Sequence, residues 1–147
     1  MILSDASASE TLGRALAAWV RVGDVITLSG PLGAGKTSIA RGLLAALGLH
    51  GEAPSPSFAI VQPYDRPEVR VPVLHVDLYR LADPAEVGEL GLDEARDDSV
   101  LVVEWPERAD PSLWHDALRL TLTVAEGGGR ALTADVPAAW KDRWPPT

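Results

Sequence analysis

The sequence predicts an α/β fold in which a mostly parallel sheet lies between layers of helices, with an antiparallel hairpin near the C-terminal end. Three patterns support this prediction. The short apolar run Val25–Leu28 is followed by a glycine-rich loop and then by a helical pattern. A second apolar run, within Ser99–Trp105, is typical of a strand buried on both faces of a parallel sheet. Alternation of apolar and polar residues over Leu118–Val124, followed by three glycines, indicates the hairpin.

The first two helices flank the first strand. Ser7 and Glu10 have the spacing of a capping box, so we expect a helix over about residues 8–21, with one apolar face made of Leu12, Ala15, Leu16, Trp19 and Val20. Gly23 and Asp24 interrupt that pattern, and the strand Val25–Leu28 follows and ends near Ser29. The second helix follows the glycine-rich loop; Gly48 stands where its C-terminal cap belongs, and its apolar face is Ile39, Leu43, Leu44 and Leu47.

The middle of the chain is predicted as a loop followed by a pair of strands. Two prolines place residues Gly51–Ser57 in a loop. Strands are expected at Phe58–Tyr64 and Val71–Tyr79, on either side of a turn at Asp65–Pro67.

A short helix and the hairpin complete the prediction. Asp83 is expected to cap a helix that ends near Gly91, because a proline follows the cap and a glutamate lies three residues beyond it. The second hairpin strand is expected at Ala131–Val136. The tail that begins at Pro137 carries two tryptophans to which the sequence assigns no role.

Length and composition limit the class of protein. The 147 residues suit one folded domain over residues 1–147, with residues 137–147 as its tail. The chain has no cysteine, which excludes a thiol nucleophile and Cys-based metal sites and favours a cytoplasmic protein. Thirteen basic and 21 acidic residues give a net charge of −8, which disfavours strong direct binding to RNA. No apolar run approaches the ~18 residues that a membrane span needs.

The motif that carries chemistry is Gly30–Thr37, which reads G-P-L-G-A-G-K-T and fits the phosphate-binding loop pattern G-x-x-x-x-G-K-[ST]. It lies between a predicted strand and a predicted helix, as that loop requires. Backbone N–H groups from Gly33 onward could surround a β-phosphate, and the helix N-terminus adds a positive dipole end. Lys36 would reach the β- and γ-phosphates, and the Thr37 hydroxyl would bind Mg²⁺.

Two acidic residues end predicted strands and are candidates for the magnesium site. Asp77 ends the segment Leu-His-Val-Asp, and Glu104 ends Leu-Val-Val-Glu. A Mg²⁺-nucleotide site needs at least one such carboxylate at a neighbouring strand end. The sequence therefore predicts that one or both of them serve the nucleotide.

The loop alone does not name a reaction, since kinases, GTPases and motor ATPases all carry it. GTP is disfavoured because guanine recognition usually uses an Asn-Lys-x-Asp signature and the chain contains no asparagine. A small-molecule kinase would need an acceptor site and usually a basic lid, and no arginine-dense insertion is visible. Four arginines near these segments are interpreted as surface residues rather than as transition-state fingers: Arg41, Arg80, Arg108 and Arg130.

Taken together, four segments resemble the bacterial TsaE (YjeE) family, the small ATPase of tRNA threonylcarbamoyladenosine biosynthesis. They are Gly30–Thr37, Ser55–Phe58 (S-P-S-F), His75–Arg80 (H-V-D-L-Y-R) and Val103–Glu107 (V-E-W-P-E). Order and spacing agree over about residues 7–110. Two residues depart from the family pattern: Pro31 replaces an acid that is common there, and Ser57 replaces a threonine but keeps a hydroxyl.

The resemblance implies a P-loop NTPase fold and roles for named residues. ATP phosphates would be held by Gly33, Ala34, Gly35, Lys36, Thr37 and Ser38. Thr37 and Glu104 would hold Mg²⁺, and Asp77 would hold the catalytic water or take part in the second shell of the metal. The Ser55–Phe58 loop is a candidate switch, with a plain proline-stiffened loop as the alternative.

The resemblance also implies partners, namely the TsaD and TsaB subunits of the tRNA modification complex. ATP hydrolysis would drive their cycling, while a small-molecule kinase and a non-hydrolysing assembly switch remain as alternatives. Three further residues stay open. His75 could be a general base or a structural histidine, Trp105 a site or a core residue, and Arg130 a contact to the nucleotide.

Overall fold

The computed structural model describes residues 1–51 and 60–146. Within them it contains three α-helices and seven strands. The helices are α1 (Ala6–Leu16), α2 (Lys36–Ala46) and α3 (Leu92–Ala95). The strands are β1 (Ile2–Leu3), β2 (Val25–Ser29), β3 (Val61–Tyr64), β4 (Val73–Asp77), β5 (Val100–Glu104), β6 (Leu118–Val124) and β7 (Arg130–Asp135). Short 3₁₀-helices span Pro84–Leu90, Pro106–Arg108, Pro111–Trp114 and Ala138–Trp140.

The seven strands form one sheet in the order β1-β7-β6-β2-β5-β4-β3. The four central strands, β6, β2, β5 and β4, are parallel to one another. The remaining strands pair antiparallel at the two edges, where β3 joins β4 and where β7 lies between β6 and β1. The predicted mixed sheet with a parallel centre and a C-terminal hairpin is therefore confirmed. Because parallel strands end at one edge, the C-terminal ends of β2, β4 and β5 bring their following residues together.

Helices α1 and α2 cover one face of the sheet and pack closely on each other. Two glycines make this approach possible. A Cβ atom on Gly13 would lie 2.0 Å from the backbone oxygen of Ile39, and one on Gly42 would lie 2.0 Å from that of Glu10. The core beneath the helices contains the apolar residues Leu12, Leu16, Ile39, Leu43, Ile26, Leu28, Val102, Leu118 and Leu120.

A second, smaller core lies on the opposite face of the sheet. The alternate residues of the same strands point there, including Val25, Leu101 and Val103. Short helical segments rather than long helices cover this face, and they contribute Val87, Leu92 and Trp114. The sheet is therefore enclosed between two unequal layers, with the longer helices on the side of the glycine-rich loop.

Several predicted boundaries need correction. Helix α1 begins at Ala6 and ends at Leu16, not at residues 8 and 21, because Asp5 rather than Ser7 is the N-cap and accepts a hydrogen bond from the Ala8 N–H at 2.8 Å. Strand β4 is shorter than predicted, Ile60 lies outside β3, and Val136 lies outside β7. The Asp83 cap is confirmed, but the segment after it is a 3₁₀-helix. Residues 52–57 of the predicted loop, and Phe58, lie outside the described residues.

The C-terminal tail packs onto the core through residues that had no assigned role. Trp140 is 1% exposed and contributes to the core on the α1–α2 side. The Arg143 guanidinium lies 3.9 Å from the Trp140 ring centroid and forms an ion pair with Asp24 at 2.7 Å. The tail is thereby tied to the segment that precedes β2.

Helices α1 and α2, with 11 residues each, are the longest in the part of the chain that the structure describes. A helix needs ~20 apolar residues to cross a bilayer. None of the described helices could therefore span a membrane.

Candidate nucleotide-binding site

The glycine-rich loop connects β2 to α2 and requires glycine at two positions where the backbone is unusual. Gly30 has a φ of +148°, and a Cβ there would lie 2.7 Å from the Leu122 backbone oxygen. Gly35 is the N-cap of α2 with a φ of +105°, and as a glycine it has no side chain that could cap the first amides of the helix. Amides at a helix N-terminus without such a cap are suited to binding an anion.

Lys36, the first residue of α2, is folded back onto its own loop. Its Nζ donates hydrogen bonds to the backbone oxygens of Gly30 (2.5 Å) and Pro31 (2.9 Å). The same atom lies 4.2 Å from the centroid of the Trp105 ring, which is cation–π distance. Burial lowers the pKa of Lys36, while the nearby carboxylates, Glu104 foremost, oppose that shift. The Lys36 ammonium group is thus held by two backbone oxygens and an aromatic ring.

Thr37 and Glu104 meet at the predicted magnesium position. The Thr37 hydroxyl lies 3.0 Å from Oε1 and 3.2 Å from Oε2 of Glu104. Strand pairing explains this contact. Glu104 ends β5 in register with Leu28 of β2, and the loop that follows β2 leads directly to Thr37 at the start of α2. Both groups are hard oxygen donors of the kind that Mg²⁺ prefers, so the residues present suit that ion.

A magnesium ion at this position would depend on few protein ligands. Among the described residues, no group of three or more His, Cys, Asp or Glu side chains is arranged to hold a metal ion. Mg²⁺ in phosphate-binding sites commonly uses one or two protein oxygens, completed by phosphate and water. The Thr37–Glu104 pair fits that pattern.

Asp77 lies beside Glu104 at the end of the neighbouring strand. The two residues are paired in the register of β4 and β5. The Asp77 Oδ1 accepts a hydrogen bond from the Tyr79 N–H at 2.9 Å. Burial raises the pKa of Asp77, the backbone hydrogen bond from Tyr79 opposes this, and the Glu104 carboxylate raises it further. Two acids at one sheet edge therefore face the same cavity.

The cavity has a volume of about 350 Å³ and unites the predicted residues with others. The candidate phosphate-binding residues Gly33–Ser38 line it, together with Asp77 and Glu104. Its remaining lining includes side chains from the start of α1, the β4 and β5 ends and the hairpin: Asp5, Ala6, Ser9, Tyr79, Trp105 and Arg130. No sequence motif marks Asp5, Ala6 or Ser9, because α1 reaches the loop only through helix packing.

Trp105 belongs to the cavity. It follows Glu104 with a φ of +58°, a left-handed conformation that is rare for a bulky residue. Its ring contacts that of Tyr79 at 4.9 Å between centroids, and the Arg108 guanidinium lies 5.3 Å from the Tyr79 ring. The left-handed turn brings the indole against Lys36, and the ring also packs on the smaller core, so Trp105 both lines the cavity and contributes to the packing below it.

The structure places the other two residues of open role, His75 and Arg130, differently with respect to the cavity. His75 is 1% exposed, contacts Glu104, and does not line the cavity. Arg130 lines the cavity and donates to the backbone oxygens of Gly33 (3.2 Å) and Gly128 (2.7 Å), which ties the hairpin to the loop. The candidate switch Ser55–Phe58 lies outside the described residues.

Comparison with known proteins identifies relatives of this chain. The sequence model described as threonylcarbamoyl adenosine biosynthesis protein TsaE matches residues 3–132. The TsaE protein of Streptomyces coelicolor is 45% identical over 117 residues, which cover 79% of each chain. That of Bacillus subtilis is 34% identical over 126 residues, or 85% of this chain and 77% of the other. That of Mycobacterium tuberculosis is 41% identical over 104 residues, or 66% and 62%.

A solved structure shows the same fold. The crystal structure of Bacillus subtilis YdiB superposes with a TM-score of 0.73 at 28% identity and covers 91% of this chain and 82% of that one. The matched sequence segment, residues 3–132, contains the glycine-rich loop and both strand-end acids. The chain therefore belongs to the TsaE family of threonylcarbamoyl adenosine biosynthesis proteins.

Proposed function

We propose that this chain is a Mg²⁺-dependent ATPase that supports threonylcarbamoyl transfer to adenosine in tRNA. The observation that carries the proposal is the contact of Thr37 with Glu104 inside a cavity lined by the phosphate-binding loop. In that cavity a cationic side chain, a helix N-terminus and two acids converge, which is the set that phosphoryl transfer requires.

The residues take the following roles. Amides from Gly33 to Ser38 surround the phosphates, and Lys36 exchanges its carbonyl partners for the β- and γ-phosphate oxygens. Thr37 and Glu104 hold Mg²⁺, which when bound neutralises charge that develops on the phosphate oxygens. Asp77 accepts a hydrogen bond from the attacking water and orients it. The water oxygen bonds to the γ-phosphorus as the bridging P–O bond breaks, giving ADP, inorganic phosphate and a proton.

The relatives' names support the biological context. Each is described as a tRNA threonylcarbamoyladenosine biosynthesis protein. With a net charge of −8, this chain is poorly suited to hold the tRNA itself. We therefore infer that other subunits hold the tRNA. The TsaD–TsaB pair that the family resemblance implies is the proposed partner, and ATP hydrolysis is proposed to cycle that complex.

The test is phosphate release measured for the chain alone, with tRNA, and with the TsaD–TsaB pair, alongside multi-turnover modification of tRNA. The Lys36→Ala variant supplies the background rate. We expect slow release alone, acceleration by the pair but not by tRNA, and loss of multiple turnovers without this chain.

Other outcomes point to the alternatives. A rate unchanged by the pair, together with full modification in the absence of the chain, would contradict the assembly role. Phosphate transfer that depends on a small-molecule acceptor would indicate a kinase. ATP binding that assembles the complex without any turnover would indicate a non-hydrolysing switch.

A further inference from the structure

His75 touches the candidate magnesium ligand Glu104 but does not line the cavity. Its Nε2 is 2.6 Å from Glu104 Oε2, and the two side chains are 1% and 3% exposed. The cavity lining includes Glu104 and Asp77 without His75. The imidazole therefore acts on the carboxylate rather than on a molecule bound in the cavity, which does not fit a general base.

We propose that His75 is a positioning residue that donates its Nε2–H to Glu104 and holds the carboxylate in the orientation used for Mg²⁺. The inference rests on the proposed function, because it takes Thr37 and Glu104 as the protein ligands of that ion. It adds a residue whose effect on the metal is exerted through another side chain.

The hydrogen bonds around Glu104 assign the direction of the His75 contact. An ionised carboxylate is an acceptor only, and the Thr37 hydroxyl lies within 3.2 Å of both of its oxygens. A carboxylate that binds Mg²⁺ is ionised, so in the proposed arrangement the hydrogen between the two atoms belongs to the His75 Nε2. With Oε2 held by the imidazole, Oε1 is left with Thr37 as its partner among residues 1–51 and 60–146.

Strand pairing fixes the distance between the two residues. His75 pairs with Val102 in the parallel register of β4 and β5, two residues before Glu104. Alternation along a strand places residues 75 and 77 on one face, and residues 102 and 104 on that same face. A glutamate has three side-chain torsions, and a buried partner on a rigid neighbouring strand removes most of that freedom.

Other metal sites indicate how much the loss of His75 should change magnesium affinity. Partners that orient a metal ligand typically change metal affinity by ~10–100-fold when they are removed. A purely structural histidine would lower stability without changing the magnesium requirement. The magnesium dependence of ATP binding therefore separates the two roles.

The experiment compares His75→Gln with His75→Asn, using calorimetric titration of ATP at a series of Mg²⁺ concentrations and in EDTA. The glutamine amide reaches about as far as Nε2, whereas the asparagine amide is one bond shorter. The matched control is His115→Gln, since His115 is exposed and bonds to the Ser112 backbone oxygen.

We expect His75→Asn to raise the Mg²⁺ concentration for half-maximal binding ~10-fold or more, with the affinity in EDTA unchanged. His75→Gln should restore most of the loss, and His115→Gln should match the wild type. A folded His75→Asn variant with the wild-type magnesium requirement overturns the inference. Equal losses in the Gln and Asn variants overturn it as well.

A second measurement needs no variant. In the unliganded wild-type protein, ¹H–¹⁵N correlation of the imidazole nitrogens must show a proton on Nε2 of His75, and a tautomer protonated on Nδ1 alone overturns the inference. A different result would contradict the proposed function itself. If ATP binding by the wild type does not depend on Mg²⁺, and ATP binding by Glu104→Ala does not either, Thr37 and Glu104 are not a magnesium site. If that magnesium dependence holds and the His75 variants do not alter it, only the role of His75 is wrong.

Discussion

Lys36 is the cation that the proposed phosphate site would use, and it lies 5% exposed against Trp105. We expect Lys36→Ala to weaken Mg²⁺-ATP binding by ~10-fold to 100-fold, because a charged hydrogen bond contributes about 1.5–3 kcal/mol. Calorimetry measures the affinity. Lys141→Ala is the matched control, since Lys141 is the other lysine of the chain and is exposed. Binding within about twofold of wild type would contradict the site assignment.

The two acids at the sheet edge should differ in effect. Glu104→Ala should weaken Mg²⁺-dependent binding, because a metal ligand stabilises ground state and transition state alike. Asp77→Ala should lower turnover more than affinity, because a residue that orients water acts chiefly in the transition state. Steady-state kinetics at varied Mg²⁺ concentrations measures both effects. The reverse pattern would exchange the two roles.

Residues at the site differ in how well the sequence predicts them. The loop and the acids Asp77 and Glu104 are predictable, because local spacing places them at the ends of recognisable strands. Ser9 and Tyr79 also line the cavity, but their positions depend on how α1 packs and how the chain turns after β4. The His75–Glu104 contact likewise joins residues 29 positions apart in the chain. It depends on the pairing of β4 with β5, and a single sequence does not reveal that pairing.

At the scale of elements, the α1–α2 contact depends on two glycines that face the partner helix's backbone. We expect Gly42→Ala to lower the free energy of unfolding by about 1–3 kcal/mol, because a new Cβ would meet the Glu10 backbone oxygen and the helices must separate. Urea unfolding measures the change. Gly88→Ala is the control: it is exposed, has no atom within 4 Å of an added Cβ, and should change stability by less than about 0.5 kcal/mol. Equal free energies of unfolding for the two variants would show that α1 and α2 can move apart at this contact without loss of stability.

Elements were predictable where a local pattern decides them. The buried runs of β2 and β5 and the alternation of β6 match the structure closely. The two-residue strand β1 has no pattern of its own and exists because β7 offers it an edge. At α1 the sequence pattern predicted Ser7 as the N-cap, whereas Asp5, two residues upstream, is the N-cap in the structure. Which residue caps α1 depends on how that helix packs in the folded molecule.

At the scale of the whole molecule, the ion pair between Asp24 and Arg143 joins parts of the chain 119 residues apart. Arg143 is 4% exposed and Asp24 10%. We expect Asp24→Asn to lower the free energy of unfolding by about 3 kcal/mol, since it leaves a buried guanidinium without its counter-charge. Asp135→Asn breaks the exposed Arg119 pair and should cost less than about 1 kcal/mol. Urea denaturation compares them, and similar losses would mean that the tail contact is no stronger than a surface pair.

The charge of the whole chain determines how it meets nucleic acid. With 21 acidic and 13 basic residues, we expect no appreciable binding to tRNA alone at physiological salt. Filter binding at about 0.15 M salt measures it. Retention of tRNA by the isolated chain would show that a local basic surface outweighs the net charge.

The contacts that Lys36 makes within its own loop bear on which anions could compete for the proposed phosphate site. Its ammonium already has two carbonyl acceptors and an aromatic ring, so an incoming ligand must replace these contacts. A singly charged anion with few acceptors gains little from that exchange. A nucleotide polyphosphate supplies several charged oxygens at once, and these replace the contacts that the ammonium loses. For the nucleotide binding proposed above, we therefore expect singly charged anions to compete poorly for this loop.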